Sequence, residues 1–266
     1  MAAKDTRVVM NLGGMWSYKV DDKNVGLKEK WFAAKLDRAD WKPMKIPNNW
    51  YLTEVGDYDG TVWFKTAFTV PADLKGKRLV LRFGAVDYFA HVWLNDVYLG
   101  KHEGMFTPFE FDVTSKVKLG AETVLVVRDE SPRDPTEYIL IPDPNNLSQP
   151  ASDPYKKHQA KALTYIKGHM VDAMHRPGAM TKFRADGNSG GIWQDVTLTA
   201  YNDVQIKNIK IYTKIVQEDG SAIVSIDLDV NNSSKHLIQT VVKLFVRPKN
   251  FKGDLAVAYE KPIGLQ

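Results

Sequence analysis

The sequence contains no cysteine, which excludes disulfide bonds and thiolate chemistry. Proteins without cysteine occur in reducing and in oxidising compartments, so this absence does not decide where the protein acts. Residues 1–7 hold no apolar run that could form the core of a signal peptide. We therefore leave the localisation open between the cytoplasm and, if a signal was removed, the periplasm or the outside of the cell.

The sequence also lacks blocks of like charge and long apolar runs. Its 36 basic and 32 acidic residues give a formal net charge of +4, and the two signs are well mixed along the chain. A nucleic-acid-binding protein needs its basic residues concentrated in a patch or stripe. A membrane-spanning helix needs about 20 consecutive apolar residues. We expect neither nucleic acid nor a membrane as a partner.

What the sequence does contain is a succession of strand patterns. Residues 61–70, 78–83, 86–100 and 123–128 are rich in aromatic and β-branched residues, and Gly, Pro or Asp lies between them. Short strands at such close spacing are typical of β-sandwiches and barrels. The only early helix that the sequence predicts is short, near residues 27–34. These patterns predict an all-β fold.

The pattern changes in two places. Residues 131–186 bring several prolines and a helix-like repeat over 153–175, and a strand resumes at 191–200, so this stretch is predicted to be an insertion. From residue 202 onward, alternating strands suit an immunoglobulin-like sandwich, which usually takes about 100 residues and seven strands. We predict domains at 1–201 and 202–266, the second being a partial sandwich of four or five strands.

Six short motifs occur in an order that is typical of one family. They are residues 11–16 (Asn-Leu-Gly-Gly-Met-Trp), 46–50 (Ile-Pro-Asn-Asn-Trp), 58–64 (Tyr-Asp-Gly-Thr-Val-Trp-Phe), 84–95, 102–109 and 189–194 (Ser-Gly-Gly-Ile-Trp-Gln). Together they resemble the N-terminal sugar-binding domain of glycoside hydrolase family 2, which contains β-galactosidases, β-glucuronidases and β-mannosidases. The resemblance implies a jelly-roll, galactose-binding-like sandwich followed by an immunoglobulin-like one.

The same resemblance implies that the catalytic residues lie elsewhere. In this family two Glu on a TIM barrel hydrolyse the glycoside, and one of them directly follows an Asn. A barrel needs about 250 residues, and the sequence contains no Asn-Glu pair. We expect a non-catalytic N-terminal portion that braces a barrel, lines the sugar pocket and is inactive alone, with no catalytic residue, cofactor or metal of its own.

The resemblance also implies which residues contact a sugar. One contact is a carboxylate shortly before the Gly-Ile strand, which strict counting places at Ala185 and one extra glycine places at Asp186. We favour Asp186, because a carboxylate can accept hydrogen bonds from sugar hydroxyls. Asn188 in the same loop and Asp59 in the loop before the aromatic strand complete the candidate set. Both loops can equally be ordinary turns.

Residues 86–100 raise a further question about the outer face of the sandwich. One face is predicted to point into the core and holds Tyr88, Ala90, Val92 and Leu94. The other face holds Asp87, Phe89, His91, Trp93 and Asn95. That second face could meet solvent, dock against the barrel or bind sugar.

A metal site is not predicted. His169 and His175 are six residues apart, and a helical zinc pair prefers a step of four.

Two other functions remain open from the sequence. The chain could be a free-standing carbohydrate-binding module or a structural and interaction module. Because the second domain is predicted to be a partial sandwich with unpaired strand edges, self-association or disorder is expected over residues 204–266.

Overall fold

In a computed structural model of the protein, the described residues are 7–132, 189–216, 218, 222–250, 252–254 and 257–266. They divide into two compact units. The sandwich unit comprises Val8–Lys75 and Leu79–Ala200, and the hairpin unit comprises Tyr201–Gln266 with Arg7 and Gly76–Arg78. Within these ranges no helix has the length and apolarity that crossing a membrane requires.

The sandwich unit is built from two antiparallel sheets. The larger has the order β3 (Lys42–Ile46), β2 (Gly14–Val20), β4 (Gly60–Thr69), β9 (Glu122–Ser131), β6 (Phe89–Leu94) and β7 (Val97–Glu103). The smaller has the order β1 (Val8–Asn11), β10 (Val196–Tyr201), β5 (Arg78–Phe83) and β8 (Phe109–Asp112). Two three-residue 3₁₀ segments, Trp50–Leu52 and Ala72–Leu74, complete it. The prediction of an all-β fold is confirmed.

The main core takes one face of each sheet, as the period-two alternation of side chains requires. Phe64 of β4, Leu81 of β5 and Leu125 of β9 are fully buried in it. The core face predicted for residues 86–100 is confirmed from β6 onward, because Ala90, Val92 and Leu94 all belong to this core. Before β6 the prediction is wrong for Asp87, which is 1% exposed because it accepts a buried hydrogen bond from Ser189. Burial of large apolar side chains from both sheets supplies the main stabilisation of this unit.

A second, smaller core lies on the outer face of the six-stranded sheet. Trp63 and Trp93 stack there with ring centroids 5.4 Å apart, and Phe32 stacks on Trp93 at 5.4 Å. Trp31 and Trp41 belong to the same cluster. The segment 25–41 of the chain itself therefore covers this face, and Trp93 is only 7% exposed. The sequence left three possibilities for the face at Trp93, namely solvent, a barrel or a sugar. All three are wrong, because this segment covers it.

The helix expected near residues 27–34 does not form. The backbone N–H of Trp31 bonds to the carbonyl of Gly26, five residues back, and Lys30 adopts a positive φ of 54°. A left-handed residue cannot continue an α-helix. The segment is instead a series of turns whose aromatic side chains reach down to the sheet.

The hairpin unit contains two separate pairs of antiparallel strands. Strand β11 (Val204–Val216) pairs with β12 (Ala222–Asn232), and β13 (Ile238–Val246) pairs with β14 (Val257–Leu265). The Asn232 side-chain amide joins the two pairs by donating to the carbonyls of His236, at 2.7 Å, and Leu265, at 3.0 Å.

Most of the insertion expected at 131–186 lies outside the described residues, as does the helix expected over 153–175. Ser131, the first residue of the predicted insertion, is the last residue of β9 and is fully buried.

Candidate functional site

An open cleft of about 380 Å³ lies where β4 begins, β9 ends and the turn after β2 passes over them. Its lining is polar, with four acidic residues and one basic residue, and consists of Asp21, Asp22, Asn24, Tyr58, Asp59, Gly60, Thr61, Arg128, Glu130 and Pro132. This cavity brings one predicted sugar contact, Asp59, together with other charged side chains.

Asp21 fixes the turn that forms one wall of the cleft. Its carboxylate accepts hydrogen bonds from the backbone N–H groups of Val25 at 2.7 Å and Gly26 at 2.9 Å, and from the Trp63 indole at 3.0 Å. A Cβ on Gly26 would overlap the Trp63 ring and the Asp21 carboxylate, so only glycine fits there. Because both oxygens of Asp21 are used in this way, its role is structural.

Arg128 forms the floor of the cleft. It is 6% exposed, and its Nη2 donates to Glu130 at 2.9 Å, to Thr61 Oγ1 at 3.3 Å and to Asn24 Oδ1 at 3.4 Å. Its Nε has no hydrogen-bond partner. The single positive charge of the cleft is thus already paired with one carboxylate, and the Nε of the same side chain is buried.

Asp22 and Asp59 differ from Asp21 because neither forms a hydrogen bond or ion pair with another described residue, and both are exposed at the edge of the cleft. A free carboxylate can accept several hydrogen bonds from a bound molecule. They are therefore the acceptors that the cleft offers to a ligand.

Tyr58 supplies an aromatic wall and a hydroxyl. Its ring packs against Trp50 with centroids 6.1 Å apart, and its hydroxyl accepts from the backbone N–H of Thr61 at 3.3 Å. Burial raises the pKa of Tyr58; the hydrogen bond to Thr61 lowers it in part, and Asp22, Asp21 and Asp59 raise it further. The phenol therefore stays neutral, and the negative field of the cleft reaches it.

The structure places one of the three predicted sugar contacts in this cleft. Asp59 lines it, whereas Asp186 and Asn188 lie outside the described residues. The residue that follows them, Ser189, is described and is buried.

Ser189 belongs to a buried network that closes the base of the insertion. Ser131 Oγ donates to the Ser189 carbonyl at 2.6 Å, and Ser189 Oγ donates to Asp87 Oδ2 at 2.6 Å. The backbone N–H of Gly191 donates to Asp129 Oδ2 at 2.9 Å. Asp87 and Asp129 thus hold the returning chain in place, and burial removes both from contact with a solvent-borne ligand.

No cluster of three or more metal-ligating side chains occurs in the described part of the chain. His169 and His175, which the sequence brought into consideration, lie outside it.

Sequence reasoning missed Arg128, Glu130 and Asp22 as parts of the site. The available signal was the spacing of Arg128 and Glu130, which places both on the outward face of one strand. Their meeting with Asp22 and Asp59 depends on β4 and β9 being neighbours, with Thr61 opposite Glu130 in the register. That pairing is not visible in the local sequence.

Fold and cleft together define a β-sandwich module with a polar cleft at one end of a sheet. Comparison with known proteins identifies its relatives. The family model "Glycosyl hydrolases family 2, sugar binding domain" matches residues 9–143. The chain therefore belongs to glycoside hydrolase family 2, and it carries that family's sugar-binding domain.

Individual relatives agree with this assignment. The chain is 31% identical to the β-glucuronidase of Sus scrofa over 267 residues, which cover 92% of this chain and 37% of that protein. It is 35% identical to the β-glucuronidase of Paenibacillus borealis over 126 residues, which cover 46% of this chain and 21% of that protein. The chain thus spans well under half the length of both relatives.

Solved structures show the same fold. A β-glucuronidase from an uncultured Clostridium sp. superposes with a TM-score of 0.65 at 24% identity, covering 100% of this chain and 40% of that one. The predicted class, a jelly-roll sandwich followed by immunoglobulin-like strands, is confirmed by this likeness.

Proposed function

We propose that this chain is the non-catalytic N-terminal portion of a family 2 glycosidase, and that it braces a catalytic barrel and lines one wall of the sugar pocket. The observation that carries the proposal is the polar cleft with Asp59 at its edge, in a chain that belongs to this family. In such a role Asp59 and Asp22 accept hydrogen bonds from sugar hydroxyls, and Tyr58 offers the edge of an aromatic ring.

The chemistry of hydrolysis is not assigned to this chain. A TIM barrel takes about 250 residues, and the described residues form only β-strands, two 3₁₀ segments and loops. The partner implied by the proposal is a barrel, and the ligand is a β-glycoside.

A hydrolase assay tests the non-catalytic part of the proposal. The purified chain is incubated with nitrophenyl β-galactoside, β-glucuronide and β-mannoside, and the expected rate equals that of buffer alone. Turnover that follows the chain through two further purification steps would show that this part is wrong.

Ligand-observed NMR tests the sugar contact. The full chain is titrated with methyl β-glycosides, and the Asp59→Asn variant is expected to weaken saturation transfer to the sugar protons. Asp73→Asn, which removes an exposed carboxylate of a 3₁₀ segment outside the cleft, is the matched control. Equal signals from both variants would place the sugar elsewhere.

A free-standing carbohydrate-binding module is the second candidate, because the cleft is open within this chain. Micromolar affinity of the isolated chain for a glycoside favours the module. Binding in the millimolar range favours a wall that needs the barrel to complete the pocket.

Self-association is a further part of the proposal. Each two-stranded sheet of the hairpin unit has unpaired strand edges among the described residues, and Ile211 of β11 is 67% exposed. Such edges and apolar side chains favour pairing with another copy. Sedimentation velocity is expected to show oligomers that Ile211→Lys reduces. The control Thr213→Lys adds the same charge to the same strand without removing an apolar side chain.

A further inference from the structure

The loop that carries Asp59 is closed by the side chain of its neighbour. The Tyr58 ring folds back over Gly60, and its hydroxyl accepts a hydrogen bond from the backbone N–H of Thr61 at 3.3 Å. Gly60 adopts a φ of 150°, which side chains rarely allow, and a Cβ there would lie 2.5 Å from the Tyr58 hydroxyl oxygen. Residues 58–61 therefore form a closed turn that depends on both the hydroxyl and the glycine.

The Tyr58 hydroxyl takes the place of a strand partner. Thr61 is 5% exposed, and its carbonyl oxygen accepts from the backbone N–H of Asp21 at 2.8 Å. The N–H and C=O of one strand residue point to the same side, and on this side the neighbouring strand β2 has ended at Val20. A buried N–H without a partner costs free energy. The bond from Thr61 to the Tyr58 hydroxyl is therefore favourable, and it keeps the turn closed.

Trp50 fixes the position of the Tyr58 ring. The Trp50 side chain is fully buried, and the centroids of the two rings are 6.1 Å apart. The returning chain holds Trp50 in turn, because the Trp50 backbone N–H donates to the Gly190 carbonyl at 2.8 Å and a Cβ on Gly190 would overlap the indole. Side chains packed in this way stay in one rotamer. The ring that closes the turn is therefore itself held in place.

We propose that Tyr58 is a positioning residue for the sugar contact, because its hydroxyl closes the turn and so holds Asp59 at the edge of the cleft. A group that is already fixed in its binding position loses less entropy when a ligand arrives. The inference rests on the proposed sugar contact and adds the residue that orients it. It concerns the hydroxyl alone, since a phenylalanine would still offer an aromatic edge to the sugar.

A double-mutant cycle of Tyr58→Phe and Asp59→Ala tests the proposal. The full chain is titrated with methyl β-galactoside, methyl β-glucuronide and methyl β-mannoside by ligand-observed NMR, and the variants are compared with the sugar that wild-type protein binds most tightly. Tyr58→Phe is expected to weaken binding about fivefold, which corresponds to one net hydrogen bond. In the Asp59→Ala background it is expected to have no further effect, because the group that it orients is gone. Tyr98→Phe removes the hydroxyl beside His91 on β7 and is the matched control, with wild-type affinity expected.

Hydrogen exchange supplies a readout that does not involve the sugar. The amide proton of Thr61 should exchange faster in Tyr58→Phe than in wild type, whereas Tyr98→Phe should leave its rate unchanged. An unchanged rate in Tyr58→Phe would contradict the closed turn, and the proposal with it.

The outcomes of the cycle separate this proposal from the sugar contact. Weaker binding by Asp59→Ala together with wild-type affinity in Tyr58→Phe would overturn the positioning role and leave the contact standing. Equal weakening by Tyr58→Phe with and without Asp59 would show that the hydroxyl acts independently of this carboxylate, so the positioning role would again be wrong. Wild-type affinity in Asp59→Ala, or no binding of any of the three sugars, would overturn both proposals.

Discussion

The sandwich unit and the hairpin unit are made from the same kind of alternating strand, but they bury it to different extents. In the sandwich unit, residues such as Phe64 and Leu125 have a second sheet over them and are inaccessible. In the hairpin unit, described residues such as Ile209, Phe245 and Tyr259 are about half exposed. Two-stranded hairpins are marginally stable in water, whereas layered sheets are not. The comparison teaches that alternation determines where strands form, and a second layer determines what they contribute to stability.

The largest expected difference concerns two phenylalanines. Phe64→Ala is expected to lower the free energy of unfolding of the sandwich unit by about 3–5 kcal/mol, because it leaves a cavity in a closed core. Phe245→Ala, at a residue 50% exposed, is expected to cost less than about 1 kcal/mol. Urea unfolding followed by tryptophan fluorescence measures the first effect selectively, because all seven tryptophans lie in the sandwich unit.

Far-ultraviolet circular dichroism of the same samples reports both units. Equal losses of stability from the two variants would mean that the hairpin unit has a core as well packed as that of the sandwich unit. The comparison would then be wrong.

A smaller effect is expected from a serine in each unit. Ser189→Ala removes the buried hydrogen bond that Asp87 accepts from Ser189 Oγ at 2.6 Å. The free energy of unfolding is expected to fall by about 1–3 kcal/mol. Ser225→Ala in β12 removes a half-buried hydroxyl with no recorded side-chain hydrogen bond, and the expected cost is within about 0.5 kcal/mol. Chemical unfolding of both variants measures the difference, and a cost at Ser225 that matched the one at Ser189 would contradict it.

The smallest effect is a pH dependence at Lys65 of the sandwich unit, which is 1% exposed and donates to the Ala33 carbonyl. Burial lowers the pKa of Lys65, and Arg38 lowers it further, while Asp96 raises it. The unfolded chain, with a lysine pKa of about 10.4, therefore binds the proton more tightly. Stability must rise with pH between the lowered folded pKa and that value.

Lys65→Met is expected to lose this rise. The free energy of unfolding of wild-type protein, measured by urea titration from pH 7.5 to 10.5, should increase relative to that of the variant. Subtraction cancels contributions that both proteins share, such as the raised pKa values of Tyr18 and Tyr58. Lys243→Met, which removes a surface ammonium paired with Glu260, controls for the loss of one positive charge. Parallel curves for wild type and Lys65→Met would refute the prediction.

Local pattern and motif order were enough to predict the strands, the core face of β6 and the family. They were not enough to predict how the outer face of the sheet is covered, because Phe32 and Trp93 meet across 61 positions of sequence and the turns between 25 and 41 have no simple period. Arg128 illustrates the same limit for the site. Its partners Asn24, Thr61 and Glu130 come from three separate segments, and only the strand pairing brings them together.

The bond between Ser131 and Ser189 has a consequence for how this domain can diversify. Because the Ser131 hydroxyl reaches the Ser189 carbonyl, the chain leaves and re-enters the sandwich at adjacent points. Lengthening a loop whose ends are already joined costs only about 0.6 kcal/mol for each doubling. Segments of different length can therefore be accommodated between Ser131 and Ser189 while the register of β4 and β9 is preserved.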